Sequence, residues 1–154
     1  MEEIKNNSEQ NSELKTNKKE DQKIKFLLQK YYSRVRIITY IYQSELFDIK
    51  LSLKEIFQDN DLDNWEAKIL STIESKYDLF INIAKRFISE EWELSRINPL
   101  TRAIIIYGEY ELLLNDPKVV INEMINISKI FSPNNDYKFV NKVLDLASKK
   151  VFNK

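Results

Sequence analysis

Cysteine and histidine are both absent from the 154 residues. That excludes disulfides, Cys/His zinc sites and any catalytic apparatus built on Ser-His or Cys-His pairs. Glycine occurs once and proline three times, so turn formers are scarce and long helices are favoured. A single glycine also cannot supply a Gly-rich phosphate loop. No charge of one sign dominates: 24 Lys and Arg balance 24 Asp and Glu, so the whole-chain field selects no partner. No apolar run approaches the ~18 residues of a membrane span. The N-terminus is polar and lacks a signal-peptide core. A soluble cytoplasmic protein with no metal, no cofactor and no membrane association is expected.

What is present is enough apolar material for one real core. Hydrophobic residues make up 43% of the chain and charged residues 31%, as in an ordinary globular domain. Abundant Ile, Asn and Lys suggest an AT-rich bacterial genome. Residues 1–21 are rich in Asn, Ser, Glu and Lys, with Ile4 and Leu14 the only aliphatics after Met1. They are expected to form a disordered polar tail, and residues 22–154 the folded domain.

The folded part reads as helices throughout. Ile24, Leu28, Tyr31, Val35, Ile38 and Tyr42 form one stripe at helical spacing over residues 23–44. A short helix is expected over residues 51–57 and a long one over residues 62–88. Asn98 before Pro99 and Asp116 before Pro117 are helix starts, with a capping side chain followed by proline at the first helical position. The helix after Pro117 should carry Val120, Ile121, Met124, Ile127 and Phe131 inward. A last helix is expected over residues 136–151. No period-two pattern persists, so the fold class is all-α, a compact bundle of six or seven helices.

Charge distribution is more informative than net charge. Between Gln22 and Ser44 stand five basic residues, Lys23, Lys25, Lys30, Arg34 and Arg36, and no acidic one. Lys23, Lys30 and Arg34 share one flank of the helix, and Lys25 and Arg36 the other. Such a flank can attract phosphates on a neutral protein; equally, it is an ordinary solvated face. Tyr31 is expected in the core, while Tyr32 can stack on an unpaired base. Lys138, Lys142 and Lys149 share one face of the last helix, with Asp145 beside them. Asn122, Glu123 and Asn141 are expected to bond between helices. Trp65, Trp92 and Phe139 are expected as core anchors, and Gly108 as a point of close helix approach. The carboxylates Glu90-Glu91 and Glu109-Glu111 do not share a helix face as acid/base pairs would, so no catalysis is expected.

The order of several blocks carries a resemblance. Ser33-Arg34 and Tyr40-Ile41-Tyr42-Gln43 are followed by Trp92, Arg96-Ile97-Asn98, Arg102-Ala103-Ile104 and Tyr110-Glu111-Leu112-Leu113. Then come Pro117, Val119 to Glu123, Ile127, Lys129 and Phe131, and finally Lys138 to Asn141 with Val143 to Asp145. Over about residues 33–145 the chain resembles the NusB family of bacterial transcription antitermination factors, most specifically in its INE and FVN blocks. It departs from the family pattern at three places. Lys30-Tyr31-Tyr32-Ser33-Arg34 replaces an Arg-rich run, Thr101 replaces an acidic residue, and Lys142 replaces a glycine.

The resemblance implies a non-enzymatic adaptor. It would bind boxA-like single-stranded RNA together with the small-subunit ribosomal protein that acts as NusE, within an RNA polymerase antitermination complex on ribosomal RNA genes. Lys23, Lys30, Tyr32, Arg34, Arg36, Lys138 and Lys142 are the expected RNA-binding residues. Tyr42 and Thr101 match positions near the face for the ribosomal protein. A homodimer is compatible with the resemblance. Two other readings keep the fold: a protein-interaction domain that has lost RNA binding, and an RNA-binding module related to ribosomal RNA methyltransferases. The second would need a large additional cofactor-binding domain, for which 154 residues leave no room.

Overall fold

The computed structural model describes residues 2–88 and 92–152, with side chains from residue 6 onward. Among the described residues are six α-helices and no strand. They are α1 (Glu2–Phe47), α2 (Leu53–Asp59), α3 (Asn64–Phe87), α4 (Pro99–Leu112), α5 (Pro117–Phe131) and α6 (Tyr137–Lys150), with a 3-10 turn at Leu94–Arg96 before α4. The all-α expectation holds because apolar residues recur at helical spacing and proline stands only at the starts of α4 and α5 or in the loop before α6. The pair Glu90-Glu91 lies outside the described residues.

Local chemistry sets the helix starts. The Asp63 side chain accepts from the Glu66 N–H at 2.7 Å and opens α3. Asn98 accepts from the Leu100 N–H at 2.9 Å, with Pro99 behind it at the start of α4. Asp116 accepts from the Lys118 N–H at 2.8 Å ahead of α5. Each cap satisfies an N–H that has no partner within its own helix.

The chain divides into two units, Met1–Arg34 and Val35–Lys154. Residues 1–21 read as a disordered tail, yet helix runs from Glu2 onward. This stretch has neither Gly nor Pro and is rich in Glu and Lys, which are good helix formers. Ser12 and Thr16 hydroxyls fold back onto the carbonyls of Glu9 and Ser12. Every residue from 6 to 30 is exposed, including Ile24 and Leu28 at the start of the expected core stripe.

The second unit holds the core. Helix α4 is its centre, packed against α3, α5 and α6, while α5 packs on α6, α6 on α3, and α2 on α3. All residues from Ala103 to Leu112 are buried. Gly108 explains how the helices come so close: a Cβ there would lie 2.7 Å from Leu144 Cδ1 and 3.1 Å from Met124 Cγ. From α1, Ile37, Ile38 and Ile41 enter the core. Val120, Met124 and Ile127 of α5 are buried as expected. Ile121 is only half-buried, and Phe131, at the end of the helix, is exposed.

Several polar and aromatic expectations are overturned. Trp65 and Trp92 are about half exposed and Phe139 is half-buried, so none is a core anchor. Asn122 and Asn141 are exposed and do not bond between helices in the interior. The buried polar link lies elsewhere. Arg102 Nε donates to Glu45 Oε2 at 2.9 Å, and Arg102 Nη1 donates to the Ile97 carbonyl at 2.6 Å. The Tyr77 hydroxyl donates to Glu45. The end of α1, the middle of α3 and the start of α4 are thereby tied through one carboxylate.

Candidate nucleic-acid interface

Lys138 and Lys142 project from α6 one turn apart, and both are exposed. They line an open groove of about 370 Å³ with Asn134, Asn135, Asp136 and Phe139. The groove wall forms where α5 ends and the chain turns through Asn134, whose φ of 55° lies in the left-handed region that Asn tolerates. Phe139 stacks edge-on against Trp92, with ring centroids 5.7 Å apart. Trp92 is 48% exposed, so an aromatic pair reaches the surface beside two ammonium groups. Cations beside accessible aromatic rings suit a single strand, because phosphates and unpaired bases are met together.

Lys149, expected on the same face, is occupied: its ammonium is 3.1 Å from Asp145 Oδ2. The lysine patch therefore narrows to Lys138 and Lys142. Lys142 is exposed, so its ammonium reaches water.

The remaining cations fall into two groups. On the unit Met1–Arg34, Lys23, Lys30 and Tyr32 are exposed and Arg34 is half-buried. The Lys30 ammonium lies 5.5 Å from the centroid of the Phe26 ring, and Tyr31 and Tyr32 meet edge to face at 5.6 Å. Tyr31 is half-buried and not a core residue.

Arg36 belongs to the second unit and is engaged there. Its Nη1 is 3.2 Å from Glu66 Oε1, and its Nη2 donates to the Asp61 carbonyl at 3.0 Å. Glu66 is 2% exposed, and burial raises its pKa against the opposing pull of Arg36. The guanidinium thus stabilises a buried carboxylate, which sets Arg36 apart from the exposed lysines.

The two residues matched to a protein-partner face also differ. Tyr42 is half-buried and retains an accessible edge. Thr101 is fully buried, and its hydroxyl donates to Asp136 Oδ2 at 2.8 Å and lies 3.3 Å from Ser132 Oγ. Its short hydroxyl turns inward and holds the start of α6.

Reading the sequence missed Phe139 and Trp92 as surface residues. A signal was available: Phe139 is flanked by Lys138 and precedes Lys142 by three residues, so it borders the basic face of α6. Large aromatics were assigned inward because they usually are.

Among the described residues, no group of Asp or Glu is arranged to hold a metal ion, and no helix is long and apolar enough to cross a membrane.

Comparison with known proteins agrees with this architecture. The chain is similar to the transcription antitermination protein NusB of a Nitratiruptor species, at 29% identity over 133 residues that cover 80% of this chain and 94% of that one. It is similar to the NusB of Staphylococcus haemolyticus at 28% identity, covering 73% of this chain and 93% of that one. The solved structure of T. maritima NusB superposes with a TM-score of 0.67 at 25% identity, covering 78% of this chain and 90% of the other. The NusB family model matches residues 33–149, which hold the α4 core, the α5–α6 groove and both of its lysines, and the chain belongs to the NusB family.

Proposed function

We propose that this protein acts in transcription antitermination by binding boxA-like single-stranded RNA together with the small-subunit ribosomal protein that serves as NusE. The complex would then act on RNA polymerase during ribosomal RNA transcription. The observation that carries the RNA part is the α6 groove, where Lys138 and Lys142 stand beside the half-buried Phe139. The lysines supply phosphate attraction, and the aromatic pair supplies a surface for an unpaired base. Lys23, Lys30, Tyr32 and Arg34 form a second set of candidate RNA contacts on the N-terminal helix. Tyr42 is the remaining candidate on the ribosomal-protein side. Its accessible edge supports that reading, and the Thr101 side chain is buried behind that side.

The test is a fluorescence titration of boxA-like RNA at several salt concentrations, with and without the ribosomal protein. Changing both Lys138 and Lys142 to Ala should weaken binding roughly tenfold. Taking two cations away from the phosphates of a single strand should make the log–log salt slope shallower by about 1.4. The weakening should be similar across RNA sequences, since lysines on phosphates carry affinity and not base identity. Phe139→Ala should weaken binding with the salt slope unchanged. Unchanged affinity in both variants would remove this groove from the RNA site. No salt-dependent RNA binding by the parent protein would favour a protein-interaction domain of the same fold.

A further inference from the structure

The helical unit Met1–Arg34 presents an apolar strip to water. Ile24, Leu27 and Leu28 are 56%, 55% and 48% exposed, which is unusual for three large aliphatics within two turns. Their arrangement is regular. Leu14, Asn17, Asp21, Ile24, Leu28 and Tyr31 succeed one another at alternating steps of three and four residues, the a and d positions of a heptad repeat. The same frame continues to Val35 and Ile38, where Ile38 is buried in the second unit. From Leu28 toward the N-terminus every residue of the strip is exposed.

The flanking positions say what could cover it. In this frame Glu13 and Glu20 occupy consecutive g positions, and Lys18 and Lys25 the following e positions; all four are exposed. In two parallel, in-register helices each g residue faces the e residue five positions later on the partner. Glu13 would face Lys18, and Glu20 would face Lys25, in both directions. Leu27 at the next g would meet Tyr32 at the next e, two half-apolar surfaces. An antiparallel alignment sets g against g and e against e, which loses these pairs. A partner able to cover the strip must offer apolar residues on the seam, Lys opposite each Glu and Glu opposite each Lys. The chain itself has that pattern.

We propose that this helix is a self-association site, on which a second copy of the chain pairs in parallel as a two-stranded coiled coil over about residues 13–32. Asn17, at a d position, meets its own copy across the seam only in this register. Asp21 on the seam weakens the association, so the dimer is reversible and depends on concentration. The inference rests on the N-terminal helix alone and not on RNA binding.

The test uses the full chain without RNA. Sedimentation equilibrium at low salt should give a mass approaching twice the 18.4 kDa of one chain as concentration rises. Leu28→Glu should return it to a single chain, with helical content and Tm of the second unit retained. The double variants Glu13→Lys/Glu20→Lys and Lys18→Glu/Lys25→Glu should each be monomeric at the same concentration, and their equimolar mixture should again reach two chains. Because the chain has no cysteine, Asn17→Cys offers one clean thiol and should form an intermolecular disulfide under mild oxidation. A single-chain mass for the parent protein at every concentration would overturn the proposal and assign the strip to a different partner. So would a dimer indifferent to Leu28→Glu and to the charge exchanges. Failure of Asn17→Cys to crosslink would overturn the parallel register.

Discussion

Both carboxyl oxygens of Glu109 are buried with no hydrogen-bond partner among the described residues, and burial raises its pKa well above the usual carboxylate range. In the window above the ordinary glutamate value and below the raised one, the unfolded chain releases this proton and the folded chain keeps it. The folded state then binds more protons, so its stability falls as pH rises through that window. Glu109→Leu should stabilise the protein by about 1–3 kcal/mol at neutral pH, because an unpaired polar group leaves the interior. Urea denaturation at a series of pH values checks this. The gain should be smallest near pH 4 and should grow toward neutrality; a gain independent of pH would mean that Glu109 is not protonated in the folded state. This burial was not legible in the sequence, where Glu109 and Glu111 read only as a pair too poorly placed for catalysis. Which side of a central helix meets other helices depends on packing from three directions, and α4 is enclosed on all of them.

At the scale of elements, helix starts were legible and helix faces were less so. Asn98-Pro99 and Asp116-Pro117 open α4 and α5 as read, since capping and proline geometry are local. Gly108 was legible too, because a lone mid-helix glycine weakens a helix and signals a packing constraint. Its neighbours are the Cδ methyls of Leu144 and the Cγ of Met124, both fully buried side chains with little room to retreat. Gly108→Val should therefore destabilise the fold by about 2 kcal/mol through overpacking, despite the poor helix propensity of glycine. Thermal unfolding measures it, and pairing the variant with Leu144→Ala should recover part of the loss. Faces failed where an element has fewer neighbours than its apolar count suggests. The stripe on α1 runs on past the core, and Trp65, Trp92 and Phe131 sit at surfaces.

For the whole molecule, Arg102 has a role no single element reveals. It meets Glu45 at 2.9 Å with side chains 12% and 14% exposed, and Glu45 also receives the Tyr77 hydroxyl. Burial and the bond to Glu45 push the Tyr77 phenol above its usual range. Arg102→Ala leaves that carboxylate without its cation and the Ile97 carbonyl without its donor. A loss of about 2–3 kcal/mol is expected. Tyr77→Phe should cost less, since it removes one neutral donor and leaves the ion pair. A double-mutant cycle of these two variants in urea measures their coupling; full additivity would mean that Arg102 and Tyr77 act on Glu45 independently. Arg102 was visible as part of the family pattern, but a sequence separation of 57 residues hid its partner.

The sequence by itself determined the class of fold, the helix starts, the central apolar helix, the family and the exclusion of Cys/His chemistry. These follow from residue types and short-range spacing, which act within a turn or two of helix. Tertiary structure alone decided which charged groups face water and which are engaged. It left Lys138 and Lys142 in the open, joined Arg36 to Glu66, drew Thr101 inward to Asp136, and brought Trp92 to Phe139 beside the groove. Ion pairs, burial and aromatic contacts join residues far apart in the chain. Helical spacing constrains the face a side chain occupies, but not what stands across from it.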